Sequence, residues 1–276
     1  MTAFEVDPEN KWFKAIDGVL YTKDGKRLVG YPCARNTTRL EIPEGCEYLD
    51  ANVFAGSGYK YKVTMTNSAG TEVTFYPGDR QYAYPTDTFY GENPLREVVL
   101  PNTIINYTPM EMLEKFPSCW LGDTENMLCA ASNYFTGIER FIVKDDNPRY
   151  KNDGDFLLSK DGKTLEVLTN GMKGYYTIPS SVTTIKPGAI CLNLGANGAS
   201  SNREATKHRP TSAQCVYPAT MWMGLNLTIP KSVVNMDDYT LYAFNVLNKM
   251  SNSSVKFEDG NPTFTYNSST GNYERV

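Results

Sequence analysis

The chain has 276 residues and a mass of 30.9 kDa, and its 41% hydrophobic and 21% charged residues exclude wholesale disorder. Its 27 basic and 31 acidic residues give a net charge of −4, with no dense basic block, so nucleic acid is not expected as a partner. No apolar run approaches the ~18 residues that a membrane helix requires, and the single histidine, His208, excludes any mechanism that needs two imidazoles.

A long internal repeat opens the chain. The segment Phe4–Leu28 recurs 137 residues later as Phe141–Leu165, with 10 of 25 positions identical, so the chain contains a duplication. Both copies contain Leu-x-x-Lys-Asp-Gly-Lys-x-Leu. An Asp-Gly pair between apolar residues is typical of a β-hairpin with a type I′ turn, because that turn needs positive φ at both central residues. We therefore predict hairpins that turn at Asp24-Gly25 and at Asp161-Gly162.

A shorter unit, apolar-x-apolar-Pro, occurs four times, and we call it a proline rung. The four proline rungs are Leu40–Pro43, Val98–Pro101, Tyr176–Pro179 and Leu227–Pro230. The i, i+2 spacing places two side chains on one face of a short strand, and proline ends the strand because it has no N–H to donate. The residues three and then six positions after each proline are expected to point back into the core: Cys46, Ile104, Val182 and Val233, then Leu49, Tyr107, Ile185 and Met236.

Three further segments have the apolar-x-apolar core without the proline, and we call them plain rungs. They are Phe4–Val6, Phe141–Val143 and Val255–Phe257. Together the seven rungs predict coils that stack on one another, because each repeat can bury its apolar face only against its neighbours. We expect their short parallel strands to form one sheet. Ile42, Leu100, Ile178 and Ile229 should then lie in one column.

Two segments interrupt the repeat, and two short segments predict helices. The alternation of Tyr59, Tyr61, Val63 and Met65 with polar residues predicts a further hairpin, which a Tyr/Pro/Asp-rich loop follows. Between residues 195 and 214 the chain has almost no apolar residues beyond alanine, which predicts a mobile surface loop. Helices are predicted to begin at the two capping sequences, Thr108-Pro109-Met110-Glu111 and Asp237-Asp238.

These sequences resemble the BspA-type leucine-rich-repeat proteins. The resemblance lies in DGVLYTKDGKRL (Asp17–Leu28), in the Ile-Pro-x-x-apolar-x-x-apolar unit and in Val53–Gly56, and it is closest over residues 3–56 and 138–190. It implies an α/β repeat solenoid: an irregular leucine-rich-repeat stack with a parallel sheet of short strands, β-hairpin insertions and a few short helices. Members are mostly secreted or cell-surface proteins of bacteria, associated with adhesion and with binding host or microbial macromolecules, and they share no catalytic residues.

We predict a single solenoid domain over residues 1–276. Its parts are a repeat block at 1–57, the hairpin and Tyr-rich insertion at 58–94, a repeat block at 95–194, the mobile loop at 195–214 and a C-terminal repeat block at 215–276. The first residues carry no basic region followed by an apolar run, so they hold no secretory signal. Repeat sequence begins at Phe4 without a polar cap, which favours a piece of a longer, exported protein over an intracellular one. An extracellular or cell-surface location is expected.

The sequence contains no motif for catalysis, cofactor binding or metal binding. None of the six cysteines forms a CxxC pair, and Cys46, at an apolar repeat position, is expected to be buried. Asp145-Asp146 is typical of a turn and Asp237-Asp238 of a helix cap. A Ca²⁺ site at Asp145-Asp146-Asn147 or at Asp153-Gly154-Asp155 is the weaker alternative, because the EF-hand spacing is not met. We therefore expect that the protein is not an enzyme and that it takes no cofactor and no metal.

Aromatic residues are the most unusual part of the composition, with 19 tyrosines among them, and exposed aromatic side chains suit recognition of proteins or sugars. Tyr82, Tyr84 and Tyr90 stand beside Pro, Gly or Asp rather than in a periodic core, and Trp12 stands where the second copy has Arg149. We predict these four aromatic residues as binding residues. The predicted function is that of a non-enzymatic adhesion protein that recognises a host or microbial protein or glycan through an extended solenoid surface. The alternative is a structural spacer of a larger surface protein, without a ligand of its own.

Overall fold

The computed structural model describes residues 1–32, 35–50, 53–54, 63–66, 72–75, 95–107, 126–132, 137–169, 171–190, 224–249 and 253–276. Within them the strands are β1 Phe13–Ile16, β2 Val19–Thr22, β3 Arg27–Gly30, β4 Arg39–Glu41, β5 Tyr48–Leu49, β6 Val63–Thr66, β7 Glu72–Phe75, β8 Glu97–Val99, β9 Arg140–Ile142, β10 Tyr150–Asp153, β11 Phe156–Ser159, β12 Thr164–Val167, β13 Gly174–Thr177, β14 Thr184–Ile185, β15 Leu225–Ile229, β16 Ser254–Phe257, β17 Phe264–Asn267 and β18 Asn272–Arg275. The helices are α1 Met127–Ala131 and α2 Asp238–Leu247.

The duplication seen in the sequence is a duplication of structure. In the first copy β1, β2 and β3 form an antiparallel meander, and the short strand β5 then pairs in parallel with β3. The second copy repeats this sheet with β10, β11, β12 and β14, down to an irregularity at the same position of the second strand pair. The long repeat is therefore one four-stranded unit made twice.

The turns of the hairpins differ from the prediction in their turn type. The chain does turn at Asp24-Gly25, but only Gly25 has positive φ there, so this turn is not type I′. The two-residue turn with positive φ at both positions lies one strand earlier, at Asp17 (φ 48°) and Gly18 (φ 70°), between β1 and β2. The sequence analysis missed this hairpin because its first strand, Phe13–Ile16, has no clean alternation.

A third partial copy follows the rung at β16, and it too was missed. In each copy an asparagine three residues before the start of the first hairpin strand accepts two backbone N–H groups, which fixes the turn into that strand. Asn10 Oδ1 accepts from Trp12 and Phe13, at 2.9 and 2.9 Å. Asn147 and Asn261 repeat these bonds ahead of β10 and β17. The C-terminal hairpin β17–β18 is therefore the start of a third hairpin unit.

The proline rungs and plain rungs form parallel strands, as predicted, except for Phe4–Val6, which is not a strand. The other six form two three-stranded sheets, ordered β4-β8-β9 and β13-β15-β16. In the first, Leu40, Val98 and Phe141 lie side by side, and in the second the same row holds Tyr176, Leu227 and Val255. The strands of the first sheet all precede those of the second in the sequence.

The prediction of one continuous column is therefore wrong. Ile42 and Leu100 belong to the core cluster under the first sheet, whereas Ile178 and Ile229 belong to a second cluster under the second sheet. All four side chains are buried, as predicted. The fold is a leucine-rich-repeat stack of short parallel strands, but the six rung strands form two separate hydrogen-bonded sheets instead of one.

The interruption has a local cause, which is the side chain of Asn152. Its Nδ2 donates to the carbonyl oxygen of Phe141 at 2.8 Å, and its Oδ1 accepts from the N–H of Val143 at 2.9 Å. The amide thus occupies the outer edge of β9, which a further strand would otherwise use. The equivalent residue of the first copy is Ala15, whose methyl group has neither donor nor acceptor.

Replacing Asn152 by alanine is expected to lower the free energy of unfolding by about 2 kcal/mol, because a carbonyl and an N–H at the edge of β9 lose their partners. For a chain of this size that corresponds to a decrease in Tm of about 4–8 °C. Thermal unfolding followed by circular dichroism measures it. Asn152→Asp is the matched control: it keeps the acceptor but replaces the donor by an oxygen that faces the Phe141 carbonyl oxygen, so its Tm should also lie well below that of the wild type. Equal Tm values for all three proteins would show that the cap contributes nothing.

The turn after each proline is the same in all four proline rungs. The N–H of the third residue donates to the proline carbonyl oxygen, at distances between 2.9 and 3.2 Å. This turn buries Cys46, Ile104, Val182 and Val233, as predicted. Among the residues six positions after proline, Leu49, Ile185 and Met236 are also buried, but the prediction for Tyr107 is wrong. Tyr107 is 44% exposed, because the preceding residue, Asn106, turns inward to a buried polar cluster.

The predicted hairpin in the insertion and one of the predicted helices are confirmed. β6 and β7 pair in antiparallel register, from Val63 opposite Phe75 to Thr66 opposite Glu72. Helix α2 begins where predicted: Asp237 is its N-cap, and Oδ1 of that residue accepts from the N–H of Thr240 at 2.8 Å. The helix predicted from Thr108 and the loop predicted at 195–214 lie outside the described residues.

Candidate functional site

The outward side chains of the six stranded rungs form two rows of surface, one on each three-stranded sheet, which we together call the front face. Because side chains alternate along a strand, every second residue of each rung points away from the core. The front face consists of Arg39, Glu41, Glu97, Arg140 and Ile142 on the first sheet, and of Tyr175, Thr177, Asn226, Thr228, Ser254 and Lys256 on the second. Val99 takes the outward position of β8 but is buried. The parallel register fixes which of them are neighbours.

The first sheet carries a ladder of paired charges. Arg39 Nη1 lies 2.9 Å from Glu97 Oε2, and Arg140 Nε donates to Glu97 Oε1 at 2.9 Å. Arg140 Nη1 continues the ladder to Asp155 Oδ1 at 2.9 Å, in the turn between β10 and β11. The hydrogen bond from Arg140, supported by that from Arg39, lowers the pKa of Glu97. Its carboxylate therefore stays ionised in mildly acidic solution, and the ladder keeps its geometry there.

A second row of charges lies beside this ladder, one residue nearer the start of each strand. Arg96 Nη1 pairs with a carboxylate oxygen of Glu139. Lys173 lies near both, and its pKa is lowered, first by partial burial and then by repulsion from Arg96. Basic and acidic side chains alternate across the strands, so this half of the front face is polar, with charges of both signs.

The front-face residues of the second sheet include one charged side chain, Lys256 on β16, and one aromatic side chain, Tyr175 on β13. Tyr175 is 90% exposed on the edge strand β13, although the neighbouring Tyr176 points inward and packs its ring against Phe156, with 6.0 Å between ring centres. Beside Tyr175 lie Asn226 and then Ser254, whose hydroxyl donates to Asn226 Oδ1 at 2.7 Å. The tyrosine therefore stands at the end of a short polar row, on a strand that is held by its neighbours.

The structure separates the four aromatic residues that the sequence predicted as binding residues. Tyr82, Tyr84 and Tyr90 lie outside the described residues. Trp12 lies in the turn before β1, and its side chain is 75% exposed, so its predicted exposure is confirmed. It is not a front-face residue. Its carbonyl oxygen accepts the N–H of Lys23 at 2.7 Å, which ties the turn to β2.

Sequence reasoning missed Tyr175, although a usable signal existed. Tyr175 directly precedes the apolar-x-apolar core of a proline rung, at the position that holds Arg39, Glu97 and Asn226 in the other three. These positions are outward in every proline rung, so an aromatic residue at one of them is exposed by the repeat itself. The prediction missed Tyr175 because this residue stands within the repeat pattern and not outside it.

The described part of the chain offers little of the chemistry of an active site. Cys46 is fully buried, as predicted, and burial raises the pKa of its thiol to about 11, so it stays protonated at neutral pH. No group of three or more His, Cys, Asp or Glu residues able to hold a metal ion occurs among the residues that the structure describes. Neither helix in the described ranges has the length and hydrophobicity that a membrane span requires.

Comparisons with known proteins find similarity of structure. No protein-family model matches the chain, and no curated protein matches its sequence significantly. Among solved structures, the chain is similar to the pneumococcal vaccine antigen PcpA, with 12% identity and a TM-score of 0.34 over 84% of this chain and 42% of that one. It is also similar to a leucine-rich cell surface protein of Faecalibacterium prausnitzii, with 13% identity and a TM-score of 0.35 over 92% of this chain and 42% of that one.

A third solved structure is a leucine-rich-repeat protein of Eubacterium ventriosum, with 16% identity and a TM-score of 0.31 over 81% of this chain and 54% of that one. The chain thus spans about half the length of the solved chains that it matches, or less. The stacked parallel strands confirm the leucine-rich-repeat fold class predicted from the sequence.

Proposed function

We propose that the protein is a non-enzymatic binding protein, secreted or held at the cell surface, that recognises a protein or a glycan through its front face. The observation that carries this proposal is Tyr175, an aromatic side chain that is 90% exposed on a strand whose backbone is fixed by parallel pairing. Packing does not require an aromatic residue there. Tyrosine offers a large contact area at a small cost in conformational entropy, and its hydroxyl supplies a hydrogen bond.

The charge ladder supports a different part of recognition. Because Arg39, Glu97, Arg140 and Asp155 already pair with one another, their side chains are ordered before any partner arrives. A partner that contacts them meets a fixed pattern of alternating charge, which sets orientation and excludes mismatched partners more than it adds affinity. We infer that Tyr175 supplies the anchor and the ladder supplies the register. Trp12, Tyr82, Tyr84 and Tyr90 stay proposed as further contacts.

The test is a binding screen with the whole chain against a glycan array and a panel of purified extracellular-matrix proteins, repeated with Tyr175→Ala. Truncating a central aromatic anchor is expected to weaken binding to whichever probe is captured by about 10- to 100-fold. The Tm should not change, because the side chain is almost wholly exposed.

Tyr107→Ala is the matched control, since Tyr107 is exposed but does not belong to the front face. It should leave binding unchanged, and its Tm should fall only slightly, because about half of the side chain is buried. If Tyr175→Ala binds as well as the wild type, the front face is not the binding surface. If the wild type captures neither class of probe, the structural-spacer alternative is favoured instead.

A further inference from the structure

The three copies of the hairpin unit differ in whether a proline rung pairs with their plain rung. The plain rung of the second copy, Phe141–Val143, pairs through β9 with the proline rung at β8, and that of the third copy, Val255–Phe257, pairs through β16 with the proline rung at β15. In both pairs the strands are parallel and in the same register. The plain rung of the first copy, Phe4–Val6, has no strand beside it in the described structure.

The contacts between a proline rung and the unit behind it extend beyond the strands. Asn147 Nδ2 donates to the carbonyl oxygen of Pro101 at 3.5 Å, and Asn261 Nδ2 donates to that of Val233 at 2.9 Å, so each asparagine reaches the turn after a proline. The aromatic residue three positions later is buried in both copies: Tyr150 is 6% exposed and Phe264 is 3% exposed. A proline rung therefore covers the asparagine, the aromatic residue and the plain rung together.

The first copy contains the same elements, already formed but uncovered. Phe4 is held in place by its N–H, which donates to the carbonyl oxygen of Gly18 at 2.9 Å. Asn10 makes the same two turn bonds as its counterparts, but its Nδ2 has no acceptor among the described residues. Phe13, the counterpart of Tyr150, is 37% exposed, and Trp12 is 75% exposed. We call Phe4, Val6, Asn10, Trp12 and Phe13 the open face.

We propose that the open face is the docking surface for a proline rung of a leucine-rich repeat, that is, a strand reading apolar-x-apolar-Pro that adds in parallel to Phe4–Val6. The chain itself shows this occupant twice, on the equivalent residues of its other two copies. Arg149, the counterpart of Trp12, donates from Nη1 to the carbonyl oxygen of Asn102 at 3.3 Å, in the turn after the proline. Trp12 therefore covers the same turn with its indole ring, through apolar contact. This inference does not rest on the proposed function of the front face.

The experiment supplies a proline rung from the chain itself. A second copy of residues 95–107 is fused ahead of residue 1 of the whole chain, through a Gly/Ser linker of about 15 residues, whose reach is about 20 Å. Docking within one molecule benefits from the high effective concentration that such a linker gives. Hydrogen exchange with mass spectrometry reports on the amides of Phe4–Val6, and oxidative footprinting with peptide mapping reports on Trp12 alone. We expect exchange at Phe4–Val6 to slow by about 10-fold or more and oxidation of Trp12 to fall.

The matched control is the same fusion in which the residues copied from Val98 and Leu100 are aspartate, which removes the apolar side chains of the added strand. It should behave as the unfused chain. The proposal is overturned if the first fusion leaves both measurements unchanged, or if the control protects the open face equally well. A concentration-dependent dimer of the unfused chain that protects Phe4–Val6 and Trp12 would also overturn it, because the occupant would then be a second copy of the chain.

Discussion

Replacing Glu166 by alanine is expected to lower the free energy of unfolding by about 3 kcal/mol, with a decrease in Tm of about 6–12 °C. Glu166 is only 6% exposed, and its Oε2 accepts from Lys186 Nζ and from Asn106 Nδ2, at 2.9 Å each. Lys186 Nζ also donates to the carbonyl oxygen of Asn106 at 2.6 Å. Without the carboxylate, a largely buried ammonium group and a buried amide lose their common partner, and each then carries the cost of incomplete solvation.

Urea denaturation followed by circular dichroism measures this loss, and two variants show its cause. Glu166→Gln keeps an oxygen that can accept a hydrogen bond but not the negative charge, so it should lie between wild type and Glu166→Ala. The double variant Glu166→Leu, Lys186→Met removes both charges and keeps apolar volume, so it should recover most of the stability. A double variant no more stable than Glu166→Ala would argue that the lost hydrogen bonds of Asn106, rather than an unpaired charge, destabilise the protein.

Replacing Phe141 by alanine is expected to lower the free energy of unfolding by about 3–5 kcal/mol, more than any other substitution proposed for this chain. Phe141 is 1% exposed in the row between the first sheet and its core, and alanine leaves a cavity that the paired strands on that side cannot close. The duplication provides a control in the same molecule, because Phe4 is the same residue at the same position of the first copy.

Replacing Phe4 by alanine is expected to lower the free energy of unfolding by only about 1 kcal/mol, because the ring is half-buried and no strand lies beside it. Both variants are measured by urea denaturation under one set of conditions. The difference between them isolates what burial under a neighbouring rung contributes, because the residue type and the local turn are shared. Equal losses would contradict the assignment of Phe4 to an uncovered position and, with it, the open face.

Much of the repeat architecture could be predicted from residue spacing. The proline rungs form strands where predicted, and the third residue after each proline is buried, because one turn geometry recurs at every proline. The front face follows from the same periodicity. The pattern reports which side of a strand a residue takes, so it locates a surface well. It does not report which residue of that surface would contact a partner, and it is the exposed fraction of the side chain that distinguishes Tyr175.

What the spacing could not predict depends on contacts between distant parts of the chain. Glu166 takes the position that Val29 holds in the first copy, and its burial depends on Asn106 and Lys186, 60 and 20 residues away. Asn152 is an ordinary strand residue in the sequence, and only the position of β9 beside it makes it a cap. Such polar side chains satisfy the backbone or each other across repeats, so no local pattern marks them.

The cap at Asn152 also bears on how a protein of this kind acquires its length. Duplicating a unit adds coils, but a stack that grows without limit would invite further strands, including those of other molecules, onto its last edge. Here the carboxamide of Asn152 occupies an internal edge, that of β9, and the coils continue beyond it in a second sheet. One polar side chain can therefore satisfy an exposed strand edge inside a solenoid without ending the solenoid.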